Sequence, residues 1–293
     1  MLPDDWHLTH DIDDFLSRAG GFLRSRPALH NTPLTDIEKL RKRAAAGGGA
    51  DVFGRLEPGG ELRAVFYLTP NGRLGLTPLS AEEADALATR LAAAGQAPSH
   101  VIADQDTART FAESWQRRTG AASALFWRTH LYRLGTLTPP RPHPEGRGRA
   151  TGAEDRERVV RWCREFCTDV GEQSSIDLID AGSWDDSRFG DRHFTFWETP
   201  DGAPVSMAAT TSVIGGMVRV DPVYTPARLR GHGYAGAVTV AVSRAALAAG
   251  ATDVVLFTDP DNRTSNALYQ RIGYVRIADF AGYRFSQGAS QAG

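Results

Sequence analysis

Read for alternation and helical periodicity, the chain shows one succession of elements twice. In the first half, apolar residues at helical spacing mark helices over 12–24 and 33–46. Strand-like runs follow at 51–57 and 61–69, joined by the turn Pro58-Gly59-Gly60. A short strand is expected at 74–77, and Ser80-Ala81-Glu82-Glu83 reads as a capping box opening a helix to residue 94. A strand at 100–103, a helix over 106–118 and a strand at 124–134 complete the half.

The second half repeats this order. Helices are expected at 154–168 and 174–179, strands at 193–198, 204–213 and 217–224, then a helix over 234–249 ended by Gly250. A strand at 254–259, a helix over 262–272 and a strand at 274–285 finish it. Between the halves lies Thr136-Leu137-Thr138-Pro139-Pro140-Arg141-Pro142-His143-Pro144, followed by Glu145-Gly146-Arg147-Gly148. Prolines forbid a continuing helix and hold the chain extended, so 139–148 reads as a linker.

Chemistry concentrates in the second half. Arg228-Leu229-Arg230-Gly231-His232-Gly233-Tyr234-Ala235 joins a strand to a long helix. Such a turn points backbone N–H groups at an anion, adds the helix dipole, and lacks the side chains that would keep a pyrophosphate away. Arg228 and Arg230 add two permanent cations, while His232 is expected to offer its backbone N–H. Further on, Asn262, Ser265, Leu268 and Tyr269 precede Gly273-Tyr274.

Together these two motifs resemble the Gcn5-related N-acetyltransferase (GNAT) family, in a tandem layout similar to that of mycothiol synthase. The resemblance implies an α/β (α+β) tandem GNAT fold, with a mixed central sheet flanked by helices in each half. It implies acetyl-CoA as co-substrate, with no metal, and a primary amine of a small molecule as acceptor. Arg228-x-x-Gly231-x-Gly233 matches the family's pyrophosphate loop, with Tyr234 and Ala235 opening its helix. Val223, Tyr224 and Thr225 match the strand whose backbone binds the pantetheine arm, and Pro222 suits an edge or bulge there. Asn262 is expected to cap its helix and, by resemblance, to touch the same arm; Asn266 reads as structural. Tyr269 matches the general acid that protonates the departing thiolate. Glu198, Asp221 and Asp259 stand as base candidates beside their simpler readings as turn formers or solvated carboxylates, and a water relay would need none of them. Trp184 and Phe189 could line an acceptor pocket; Trp162 and Phe194 fit a core.

At the corresponding place the first half has Leu76-Thr77-Pro78-Leu79-Ser80-Ala81-Glu82-Glu83, with no paired glycines and two glutamates that would repel a pyrophosphate. Its counterpart of the tyrosine helix carries Phe111 and Trp115. The expected division is therefore a degenerate copy over 1–138, a linker over 139–148 and a catalytic domain over 149–293.

Composition narrows the partners. A formal charge of −2 over 293 residues supplies no general field for a nucleic-acid backbone. The only lysines, Lys39 and Lys42, and the many arginines, alanines and glycines look like a high-GC, actinobacterial genome. Cys163 and Cys167, four apart, suit a helix face in a core better than a disulfide or a metal site. No apolar run spans a membrane, and the start, Met1-Leu2-Pro3-Asp4-Asp5, does not read as a signal peptide, so a cytoplasmic location is the default. A homodimer is left open. Two rival readings stand: an acyl or aminoacyl transferase using a carrier protein or aminoacyl-tRNA, and a non-catalytic acyl-CoA-binding sensor.

Overall fold

The computed structural model describes residues 5–45 and 51–286. The helix end expected at residue 46, the first four residues used to judge a leader, and the chain's last seven residues lie outside them. Two compact units form, one from residues 5–45, 51–131 and 277–286 and one from residues 132–276.

In the first unit the order is β1 (Trp6–Thr9), α1 (Ile12–Ser25), α2 (Asn31–Ala45), β2 (Val52–Leu56), β3 (Ala64–Leu68), β4 (Arg73–Leu76), α3 (Ala81–Ala93), β5 (His100–Asp104), α4 (Gln105–Thr119) and β6 (Ala122–Leu134). The second runs β7 (Arg147–Ala150), α5 (Arg156–Val170), α6 (Gln173–Asp180), β8 (His193–Glu198), β9 (Pro204–Thr210), β10 (Met217–Tyr224), α7 (Tyr234–Ala248), β11 (Asp253–Thr258), α8 (Arg263–Arg271) and β12 (Tyr274–Ser286). The duplicated order holds, with two additions: β1 and β7 open their repeats and were absent from the sequence pattern. Arg147–Ala150 is mostly exposed, so its strand rests on ladder hydrogen bonds to β8 and leaves no apolar alternation to read.

Two chain segments fall elsewhere than expected. Residues 277–286 group with the first unit, where Phe280 to Arg284 pair antiparallel with Asp104 to His100 of β5. Residues 139–148 group with the second unit and are packed on it. The Thr138 amide donates to the Ile272 carbonyl at 3.0 Å, and the Trp197 indole to the Glu145 carbonyl at 3.2 Å. The proline-rich stretch is thus a strap on that unit.

The first unit's sheet runs β1-β2-β3-β4-β5-β12, antiparallel except for the β4–β5 pair. Trp6, Leu56, Phe66, Leu87 and Phe111 fill its core. In the second unit the order is β7-β8-β9-β10-β11, with β10 and β11 parallel. Strand alternation divides its side chains between two faces. Phe194, Phe196, Met207 and Ala209 pack with Trp162, Cys163 and Cys167 of α5. Trp197, Ala208, Val218 and Val220 pack with Ala237, Val238 and Val240 of α7. Both cysteines are free and buried, and burial pushes the Cys167 thiol up to about 12, so they are inert core groups. Among the described residues no helix is long and apolar enough to cross a membrane.

Candidate active site

The site is built where β10 ends and α7 begins. The parallel register of β10 with β11 covers Met217–Arg219. Beyond it β10 keeps β9 as partner, with a register shift between Val220 and Val223 around Pro222. An irregularity thus stands at this proline, and beyond it the strand's last residues keep their register with β9, outside the Met217–Arg219 register with β11. Val223 and Tyr224 stay paired with Ala208 and Met207. The Tyr224 carbonyl accepts from the Ser206 hydroxyl at 3.0 Å, and the Tyr224 hydroxyl donates to Glu165 at 2.7 Å. Thr225 shares a 2.8 Å hydroxyl contact with Ser206.

After a short turn at Ala227–Leu229 the backbone enters the left-handed region at Gly231 (φ 85°) and Gly233 (φ 80°). Side chains rarely tolerate these angles, which explains both glycines. A Cβ on Gly231 would project into open space. Gly233 caps α7 without a side-chain acceptor. The first N–H to find an acceptor is that of Ala237, to the Gly233 carbonyl at 3.1 Å. Among the described residues, the N–H groups of Gly231 through Gly236 have no protein acceptor. Tyr234 and Ala235 occupy that unsatisfied first turn, and the His232 ring stacks on Tyr234 at 5.6 Å. Six free donors at a positive helix end fit a pyrophosphate.

The two arginines behave differently. Arg230 donates to the Thr225 carbonyl at 3.0 Å and to Asp169 at 2.5 Å, so it braces the loop against the end of α5. Arg228 is exposed and, among the described residues, has no ion-pair partner. Only one of the two expected cations is at liberty.

Tyr269, on α8, is 8% exposed, and its ring lies 6.0 Å from that of Tyr274 in a T-shaped pair. Burial raises its phenol well above the usual range, with Tyr274 and the Asp221 carboxylate adding to the rise. Such a phenol stays protonated, and a thiolate released in the same dry setting is itself made more basic by that burial. The Tyr274 hydroxyl shares a 2.7 Å hydrogen bond with Ser243, whereas no protein partner takes the Tyr269 hydroxyl among the described residues. Asn262 caps α8, accepting from the Ser265 amide at 3.0 Å. Asn266 is structural as expected, donating to the Asp259 and Asn262 carbonyls, each at 2.9 Å.

Each base candidate has an occupation. Glu198 is buried and accepts from Arg149 at 2.6 Å. Asp221 accepts from Arg188 at 3.1 Å, with Arg192 3.9 Å away. Asp259 caps its own turn through the Asp261 amide at 2.8 Å. Of the three, Asp221 alone is placed close enough to Tyr269 to bear on its proton. Trp184 and Phe189 stack at 6.0 Å within the α5–α6 core, and Arg188 lies 4.8 Å over the Phe189 ring. Their structural reading prevails over the pocket reading.

A cleft of about 630 Å³ opens on the α5 side of the sheet, lined by Arg158, Arg161, Trp162, Glu165, Asp201 and Arg228 among others. The sequence signal for it was available: two arginines three apart near a helix start, against the dipole.

Residues 208–284 match the model of the FR47-like protein family. No curated protein matches the chain. Among solved structures, a GCN5-related N-acetyltransferase from Sphaerobacter thermophilus aligns at 18% identity over 97% of this chain and 96% of its own, with a TM-score of 0.56. The chain has the GNAT fold. A GNAT-family acetyltransferase from Colwellia psychrerythraea shares this fold at 11% identity, covering 96% of this chain and 99% of that one, with a TM-score of 0.56. The duplicated GNAT architecture also has a counterpart in a tandem GNAT protein from the clavulanic acid biosynthesis pathway, at 13% identity over 98% and 99% of the two chains and a TM-score of 0.53.

Proposed function

We propose that the chain is an acyltransferase that moves an acetyl group from acetyl-CoA to a primary amine of a small molecule. The observation that carries this reading is the run of unsatisfied N–H groups from Gly231 to Gly236 at the start of α7, which fits the pyrophosphate of coenzyme A. When bound, coenzyme A supplies the activated thioester. The chain's own residues then divide the work. The end of β10, from Val223 to Thr225, orients the pantetheine arm, and Asn262 closes the α8 side of its path. Tyr269 keeps its proton at the phenol oxygen in a dry setting and gives it to the thiolate that leaves as the amine attacks. The three carboxylates are already engaged, so removal of the amine's proton falls to water held near Asp221.

Retention of a buried, unpartnered phenol supports a transferase over an acyl-CoA sensor, which needs no acid at that position. The test is thiol release from acetyl-CoA with a panel of amines, followed by mass analysis of the products. Binding of acetyl-CoA with no turnover of any amine, peptide or carrier-bound acceptor would favour the sensor.

A further inference from the structure

The cleft beside α5 contains chemistry that the acetyl-transfer reading leaves unused. Arg158 and Arg161 sit one turn apart on α5, and Arg228 faces them from the turn before Gly231. None of the three has an ion-pair partner among the described residues. Asp155, whose carboxylate also feels the charge of Arg158, is held by Arg149 through contacts of 2.7 and 3.0 Å. Of the cleft's two carboxylates, Glu165 accepts the Tyr224 hydroxyl at 2.7 Å and Asp201 accepts the Thr199 hydroxyl. Three guanidinium groups against two carboxylates leave the lining one positive charge in excess. Helix stability does not explain Arg158, because a cation in the first turn opposes the dipole.

We propose that this cleft binds the carboxylate of the acceptor, so that the substrates are amines that also carry an acidic group. The proposal rests on the acetyltransferase reading and names its substrate class. One excess positive charge matches one carboxylate, and guanidinium forks bind carboxylates through paired hydrogen bonds. The volume suits a ligand of amino-acid to short-peptide size. Position separates it from coenzyme A. The cleft lies on the face packed by α5, whereas the free N–H groups belong to α7 on the opposite face of the same strands. Arg228 alone stands in both places. Glu165 and Asp201 give the cleft two acceptors that a charged amine or amide can meet.

The experiment pairs 4-aminobutyrate with butylamine and 6-aminohexanoate with hexylamine, on the full chain. Calorimetric binding is measured first, then thiol release with acetyl-CoA. The carboxylated member of each pair should bind at least about tenfold more tightly, as expected for charge-assisted paired hydrogen bonds. The R158Q/R161Q variant should lose that preference while keeping its affinity for acetyl-CoA. The R158K/R161K variant should keep part of it, because charge survives but the fork does not. Equal binding within each pair would overturn the proposal, as would a double variant that loses acetyl-CoA instead. Carboxylate binding in a chain that fails to bind acetyl-CoA would support the cleft and sink the transferase reading.

Discussion

Two helix starts in corresponding positions, those of α3 and α7, end in opposite states. At α3 the Ser80 hydroxyl accepts from the Glu83 amide at 3.2 Å, and the Glu83 carboxylate accepts from the Ser80 amide at 2.6 Å. The neighbouring Leu79 amide donates to the Thr107 hydroxyl at 2.9 Å, and Arg63 pairs with Glu83 at 3.3 Å. There the Ser80 and Glu83 donors are satisfied by the capping box, and among the described residues only the Ala81 and Glu82 amides of the first turn lack a protein acceptor. At α7 glycine replaces the capping side chain, and the donors from Gly231 to Gly236 stay open. One arrangement caps its helix start from within the protein; the other leaves its donors open, as the proposed coenzyme A site requires. On the proposed reading, a duplicated fold divides into a structural copy and a binding copy through a handful of residues at one turn.

The largest effect that would test this contrast is at Gly231. Replacing it with leucine forces a side chain into a left-handed backbone and into the space above the donors. Acetyl-CoA affinity should fall by about a hundredfold or more, since both the cradle's shape and its donors are disturbed. Titration calorimetry of the variant checks this, and on the unsubstituted chain it should give one equivalent per chain. Two equivalents would mean that α3's start also binds, and the comparison would fail.

Tyr269→Phe should act on turnover alone, lowering kcat by about a hundredfold if the phenol is the acid, with acetyl-CoA affinity retained. Pre-steady-state measurement, showing that chemistry limits the rate, is needed to read the result. An unchanged kcat under those conditions would remove Tyr269 from the mechanism.

At α3 the expectation reverses. Ser80→Ala should cost about 1 kcal/mol of stability, typical of a lost cap, and leave acetyl-CoA binding untouched. Urea denaturation read beside calorimetry separates the two.

A further effect concerns pH and the first unit. Burial, helped by Arg73 and Arg284, lowers His100 from 6.5 to about 4. In the unfolded chain this imidazole takes its proton near 6.5, while the folded one resists until about 4. Between those values the unfolded state binds more protons, so stability declines as pH falls through the window. His100→Gln should flatten that part of a stability-against-pH curve. An unaltered slope would show that carboxylates dominate there.

Much of the fold was legible because its strands alternate and its helices carry their own stop signals. The bounds of β8 and β10 coincide with those read from apolar content alone. The turn at Gly231 and Gly233 was legible for the same local reason: both positions need left-handed angles. What sequence could not reveal was partnership across long separations. Arg230 looks like a phosphate ligand until Asp169, sixty-one residues earlier, takes it. Glu198 looks like a base until Arg149, forty-nine residues earlier, pairs with it. The linker resembled a spacer because proline content reports stiffness and says nothing about what a stiff segment lies against.

The placement of residues 277–286 bears on how the protein is made. These residues supply the strand beside β5, yet they follow the whole of the second unit along the chain. During synthesis the first unit waits with the β5 edge unpaired while the second is translated, a period in which strand edges invite wrong partners. Completion of the first unit is thereby tied to translation of the entire second unit, and a nascent chain that stops within the second leaves the β5 edge without its partner.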